Sequence, residues 1–292
     1  MSKQSQNTER ESLSVLSPAF VVSRPSLWRS GVIFASPHSG SIYPKSFTDR
    51  SVLSIAQLRK NEDIFIDKLF ASCVKQGAPL LAAQFPRCYV DVNRSEDELP
   101  PEWSVSPTRP TARAQAGLGV IPTHINESTA IYKRPLEAEI AQLRLSHLYR
   151  PYHNALQDLI ADCMSRFGQV LLIDCHSMPG FSPMGARRPD IILGDRFGKA
   201  CHPDTLTRVQ RIFRASGYSV AVNYPYAGGF VTQHYGRPEA GIEALQIEVN
   251  RDLYLNPVTL APKRGYEDLA TNLEHILHEI VHTAIPFSQA AQ

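Results

Sequence analysis

Short apolar runs alternate with longer stretches of helical periodicity along this chain. Gly31-Val32-Ile33-Phe34-Ala35-Ser36 reads as a buried strand, and Val170-Leu171-Leu172-Ile173 as another. Further strands are expected at 80–85 and 88–92, around a Pro86-Arg87 turn, and at 191–193, 218–222 and 243–249. Residues 55–76 carry Ile55, Leu58, Ile64, Leu69, Phe70 and Val74 at helical spacing, and Gly77 and Pro79 then stop the helix. A second helical region runs over 132–167, divided by Pro151, which suits the first turn of its second half. Helices follow at 203–215, with Pro203 in the first turn and Gly217 past the end, and at 266–283. Helices interleaved with short apolar strands predict an α/β protein built as a three-layer α/β/α sandwich.

Three stretches break the pattern. Residues 1–17, rich in Ser, Gln and Glu, read as a mobile tail ahead of one domain spanning 18–292. Residues 95–131 are rich in proline and form a long insertion, a length that in compact domains usually carries function. Residues 223–238 form a second loop, in which Gly228-Gly229 and Tyr235-Gly236 allow a close bend over a ligand, as in a lid.

Composition excludes several classes. The chain of 292 residues has 43% hydrophobic and 20% charged residues and a net charge of +2, without a basic block. Neither nucleic acid nor a membrane is an expected partner. The five cysteines, at 73, 88, 163, 175 and 201, form no CxxC pair and lie mostly in apolar stretches, which predicts reduced core thiols. The first ten residues lack an apolar signal core, so a cytoplasmic protein is expected.

The candidate chemistry sits after the strands, where α/β proteins collect their catalytic groups. His38 follows the first apolar run, His176 follows the central one, and Glu248 lies at the end of 243–249. Two imidazoles and one carboxylate are the ligand set of a mononuclear hydrolytic zinc site, and they also suit other divalent ions. The carboxylate would come from Glu62 or Asp63 on the helix 55–76, where only one of two neighbours can face the site. Glu248 then fits as general base and later acid in amide hydrolysis. Its alternative is a structural ion pair with Arg251, because buried carboxylates are rare unless paired. Cys175 is expected to face the opposite side as a core thiol.

A competing motif is His278-Glu279-Ile280-Val281-His282, the H-E-x-x-H pattern of zincin peptidases. Residues 283–292 hold no His, Asp, Glu or Cys to complete such a site, so an exposed helix face is the expected role. No G-x-S-x-G, G-x-G-x-x-G or P-loop occurs. A ligand-binding protein on a hydrolase fold is the non-enzymatic alternative.

Taken together, several segments resemble the N-formylglutamate amidohydrolase family. They are Ser36-Pro37-His38-Ser39-Gly40, Glu62-Asp63, Arg87-Cys88-Tyr89-Val90-Asp91-Val92-Asn93-Arg94, Gly117-Leu118-Gly119-Val120-Ile121-Pro122, Asp174-Cys175-His176-Ser177, Gly228-Gly229-Phe230-Val231-Thr232-Gln233-His234-Tyr235-Gly236-Arg237-Pro238 and Gln246-Ile247-Glu248. The resemblance implies a phosphorylase/hydrolase-like sandwich with a mixed central sheet, shared with zinc carboxypeptidases and some cell-wall amidases. It implies one divalent metal, zinc first, with Asp63 favoured over Glu62 as the ligand between His38 and His176. It further implies release of formate and glutamate from N-formyl-L-glutamate, late in a histidine-degradation route. The 95–131 segment departs from the histidine-pathway members. A substrate with two carboxylates calls for arginines, which capture carboxylates in bidentate fashion. Arg94, Arg237 and Arg251 are the candidates, with Arg87, Asn93 and Tyr235 in the same motifs. Arg87 and Arg94 could instead close surface ion pairs with Asp91, Glu96 or Asp97.

Overall fold

The computed structural model describes residues 3–100, 103 and 111–283. Its strands are β1 (Phe20–Ser23), β2 (Val32–Ser36), β3 (Leu80–Ala83), β4 (His124–Asn126), β5 (Thr129–Ala130), β6 (Val170–Met178), β7 (Ile191–Gly194), β8 (Val220–Val222) and β9 (Ile242–Asn250). Its helices are α1 (Lys3–Val15), α2 (Lys45–Arg50), α3 (Ile55–Arg59), α4 (Ile66–Leu69), α5 (Ser72–Gln76), α6 (Ala112–Gln115), α7 (Ala138–Arg144), α8 (Arg150–Phe167), α9 (Pro203–Ala215), α10 (Phe230–Tyr235) and α11 (Gly265–Thr283). Seven strands form one sheet in the order β1-β3-β2-β6-β9-β7-β8. The sheet is mixed, as expected: β6 runs parallel to β2 and β9, whereas β7 runs antiparallel to β9. With its flanking helices this is an α/β fold.

The chain divides into two compact units. One comprises Val22–Ser36, Asp63–Leu81 and Leu156–Gln292, and it holds most of the sheet. The period-two alternation of strands sorts its side chains. Leu171, Ile173 and Cys175 of β6 join Leu245, Ile247 and Val249 of β9 in an apolar cluster. Leu269, Leu273, Ile276, Leu277, Ile280 and Val281 of α11 close that cluster. Cys175 is thus the core thiol anticipated. The intervening residues of the same strands are polar and buried: Asp174, His176, Gln246, Glu248 and Asn250. The register sets Asp174 beside Gln246 and His176 beside Glu248, so the four share the other face.

The other unit comprises Met1–Val21, Pro37–Glu62 and Ala82–Ala155. Residues 1–17, expected as a tail, instead contain helix α1. Polar composition misled here because one polar residue is its anchor. Glu9 is fully buried and accepts from Arg144 Nε at 2.6 Å and from the Tyr89 hydroxyl at 2.5 Å. Arg144 is equally buried, and its guanidinium lies 3.8 Å from the Tyr89 ring centroid.

Four further expectations are corrected. The helix over 55–76 is three short pieces, α3, α4 and α5, and Phe65 takes a left-handed φ of 64°. Between α3 and α4 lie Glu62 and Asp63, whose buried carboxylates are drawn to separate polar partners, and this overrides the apolar periodicity. Residues 88–92 form a turn in which Pro86 O accepts from Tyr89 N and Val90 N, rather than a strand. The region 132–167 becomes helical only at Ala138, and Pro151 sits in the first turn of α8 as expected. A π-turn, Leu145–Tyr149, precedes it and absorbs the missing Pro N–H. Within 95–131, residues 101, 102 and 104–110 lie outside the described residues. The rest contains α6 and the β4–β5 hairpin, and the 223–238 loop contains α10.

Candidate functional site

β6 continues past its apolar run through Met178, so His176 lies within the strand rather than after it. Its ring is held at both nitrogens, with Nδ1 2.9 Å from Asp63 Oδ2 and Nε2 2.9 Å from Asp174 Oδ2. Burial favours a neutral ring, but Asp174 and Asp63 outweigh it and raise the His176 pKa well above the usual imidazole value. Asp63 is further fixed by Ser177 Oγ, which donates to Oδ1 at 3.1 Å, and by Arg251, whose guanidinium donates to the same oxygen at 2.9 Å. Arg251 also donates from Nε to Ser177 Oγ. This arginine therefore braces Asp63.

His38 lies two residues beyond β2 and is buried. Its Nε2 is 2.7 Å from Asp91 Oδ1. The Asp91 carboxylate also takes Arg87 at 2.9 Å, the more distant Arg94 at 3.9 Å, and the backbone N–H of Asn93. Burial opposes its ionisation, yet His38, Arg87 and Arg94 together hold its pKa well below the carboxylate range. The ion pairs foreseen for Arg87 and Arg94 do form with Asp91, but this carboxylate is buried rather than on the surface.

Glu62, the alternative ligand, has partners of its own. It accepts from the Tyr43 hydroxyl at 2.6 Å and pairs with Arg59 at 3.3 Å. His38, Asp63 and His176 each offer one ligand atom within 4.8 Å of the others, and all three are buried, so this His/Asp/His group could hold a metal ion. The donor set fits such an ion: two imidazoles and a carboxylate, each imidazole backed through Nε2 by a carboxylate, the arrangement that orients histidine ligands in metal sites.

Glu248 is buried on β9, in register with His176, and its Oε1 accepts from Gln246 Nε2 at 2.9 Å. Gln246 Oε1 in turn accepts from the N–H of Gly229, so the glycine loop sets the amide's orientation and the amide holds the carboxylate. Gly228 has φ of 116°, which favours glycine at that bend. Asn93 is buried beside Asp91, and Arg94 is largely covered, donating to the carbonyls of Asn93 and Leu118. Tyr235 is buried on α10, whereas Arg237 is exposed and its backbone bridges to Ile242. His278 and His282 are exposed on α11.

Residues 30–255 match the family model described as N-formylglutamate amidohydrolase. The chain belongs to the N-formylglutamate amidohydrolase family. It is similar to the N-formylglutamate deformylase of Pseudomonas aeruginosa, 27% identical over 266 residues, covering 89% of this chain and 95% of that protein. The deformylase of Pseudomonas putida is 28% identical over 262 residues, covering 88% and 93%. The crystal structure of N-formylglutamate amidohydrolase from Ralstonia eutropha superposes with a TM-score of 0.84 at 34% identity, covering 90% of this chain and 97% of that one.

Within this N-formylglutamate amidohydrolase fold, four polar residues escape a reading of the sequence alone: Asp91, Asp174, Gln246 and Tyr226. Asp174 and Gln246 are within reach of it, because each lies two positions before a candidate residue on its strand and so shares its face. Asp91 has no such signal, since its turn reads as a strand. Tyr226 is half-buried beneath Arg188, 5.4 Å from its ring centroid. Burial raises its pKa, Arg188 opposes, and Glu248 adds to the rise, which puts the phenol in the field of that carboxylate.

Proposed function

We propose that this chain hydrolyses the amide of N-formyl-L-glutamate to formate and glutamate, or that of a closely related N-acyl amino acid to its own acyl acid and free amino acid. One divalent metal, zinc in the first instance, would be held by His38, Asp63 and His176. The buried His/Asp/His group, with a carboxylate behind each imidazole, carries this reading. A divalent ion in such a set supplies Lewis acidity and lowers the pKa of water to about 7.

The chain's own residues divide the remaining work. Asp91 and Asp174 hold the two rings through Nε2, which would leave Nδ1 to face a bound ion. Arg251 and Ser177 keep Asp63 aimed. Glu248 takes the proton from the attacking water and delivers it to the leaving nitrogen, so that one carboxylate serves as base and then acid. Gln246 holds Glu248 in place with a donated N–H. Arg94 and Arg237 would receive the substrate carboxylates, with Asn93 and Tyr235 completing the contacts, and Arg251 acting from behind Asp63. A cytoplasmic role in amino-acid catabolism, at the end of a histidine-degradation route, is the setting consistent with this chemistry.

The test is formate release by the purified full-length chain from N-formyl-L-glutamate, with N-formyl monocarboxylic amino acids as comparators. Activity lost on chelation and restored by zinc is expected. Absence of turnover despite tight ligand binding would leave a binding protein instead.

A further inference from the structure

The H-E-x-x-H sequence takes no part in the site above, yet its two histidines are arranged for a ligand of their own. His278 and His282 are one turn apart on α11 and project from the same face. Both are exposed, and their ring centroids lie 4.2 Å apart with 40° between the planes. Leu277, Ile280 and Val281 are buried in the apolar cluster, so the backbone carrying the pair is fixed.

A neighbouring residue also selects a tautomer. Gln76, the last residue of α5, presents its side-chain oxygen 2.9 Å from His278 Nδ1. An amide oxygen accepts only, so Nδ1 carries the proton and the Nε2 lone pair points away from the amide. Hydrogen bonding of one ring nitrogen to an oxygen is how metal-ligating imidazoles are oriented. The Arg29 charge also acts on His282.

We propose that His278 and His282 form a second, surface metal site that takes an imidazole-preferring transition ion, with Cu(II) bound best, Ni(II) and Zn(II) less well. The order follows from the intrinsic preference of nitrogen sites for divalent metals. Two protein ligands leave the remaining coordination positions to water or an added ligand, and the nearby Arg29 charge opposes the cation. This site is therefore weaker than the three-ligand group, and it does not depend on the amidase reading.

Cu(II) titration of the full-length, untagged, zinc-loaded protein tests it, followed by calorimetry and by the nitrogen couplings in the Cu(II) resonance spectrum. The wild type should take up a weak equivalent with two-nitrogen coupling that is missing from the His278→Ala/His282→Ala double variant. His275→Ala, on the same helix, should retain it. Gln76→Leu should weaken it by about 10-fold, the lower end of what such outer partners contribute. Formate release should be equal in all four proteins. Equal Cu(II) uptake by the wild type and the double variant would overturn the proposal. So would loss of the tightly held zinc in a folded double variant, since the pair would then be the principal site.

Discussion

Replacing Asp174 by Asn isolates what the carboxylate behind His176 contributes. Asn has nearly the same volume and keeps one oxygen acceptor, so the buried position next to Nε2, 2.9 Å away, stays filled. What disappears is the negative charge. A full unit charge at 4 Å in an effective dielectric of about 20 amounts to ~4 kcal/mol. A neutral, metal-ligating ring feels only the part that polarises it, and outer carboxylates are worth about 10–100-fold in metal affinity. That corresponds to ~1.4–2.8 kcal/mol. Competition against a chromogenic chelator at fixed pH, on wild type and Asp174→Asn, measures this directly, and thermal unfolding of the same samples checks the fold. Zinc affinity within about twofold of wild type in a folded variant would refute the reasoning, because the outer-carboxylate contribution would be missing and Asp174 would be a structural partner only.

Glu248→Gln keeps shape while removing the proton acceptor; kcat should fall by about 10²–10⁴-fold with zinc content unchanged, measured on one purified sample. Near-normal turnover would remove Glu248 from the chemistry. Arg94→Ala should raise KM for N-formyl-L-glutamate by the equivalent of about 1.5–3 kcal/mol, and much less for an N-formyl monocarboxylic amino acid. An equal effect on both substrates would make Arg94 a brace for Asp91 and the 91–94 turn. Glu9→Ala leaves the buried Arg144 charge uncompensated and should cost about 3–5 kcal/mol in a denaturant titration. A loss below about 1 kcal/mol, well short of a broken buried pair, would mean that the stacked Tyr89 ring and the Tyr132 hydroxyl, which accepts from Arg144 at 2.7 Å, suffice to hold the guanidinium.

The strands of the sheet are legible because an apolar run bounded by glycine or proline is too short for a helix and too apolar for a loop; β2, β7 and β9 fall within a residue or two of their expected limits. Legibility fails where buried polar pairs replace apolar contacts. Read from sequence, β6 ends at Ile173 because Asp174 and His176 look like a strand's exit, whereas their mutual hydrogen bond makes both acceptable inside the sheet. The helix expected over 55–76 runs through Glu62 and Asp63 for the opposite reason: the apolar spacing is helical, but each carboxylate has its own polar partners, Tyr43 and Arg59 for Glu62, Ser177 and Arg251 for Asp63, and the chain breaks to satisfy both. The same blindness hides α1, whose buried Glu9 pairs with Arg144 and Tyr89. His38, His176 and Glu248 stand out because residue type and position at the ends of apolar runs speak for them, whereas only the family resemblance separates Asp63 from Glu62. Asp91 and Asp174 do not, because a carboxylate that orients a histidine has no spacing of its own.

All five cysteines are free and buried. At each of them burial leads the rise in thiol pKa. The folded protein is therefore silent to thiol-directed dyes without any need to strip its native cysteines. A single Met184→Cys exchange, at a side chain 93% exposed on the segment after β6, would place one fluorophore near the strand that carries His176. Ligand and metal arrival could then be followed optically in an otherwise unaltered chain.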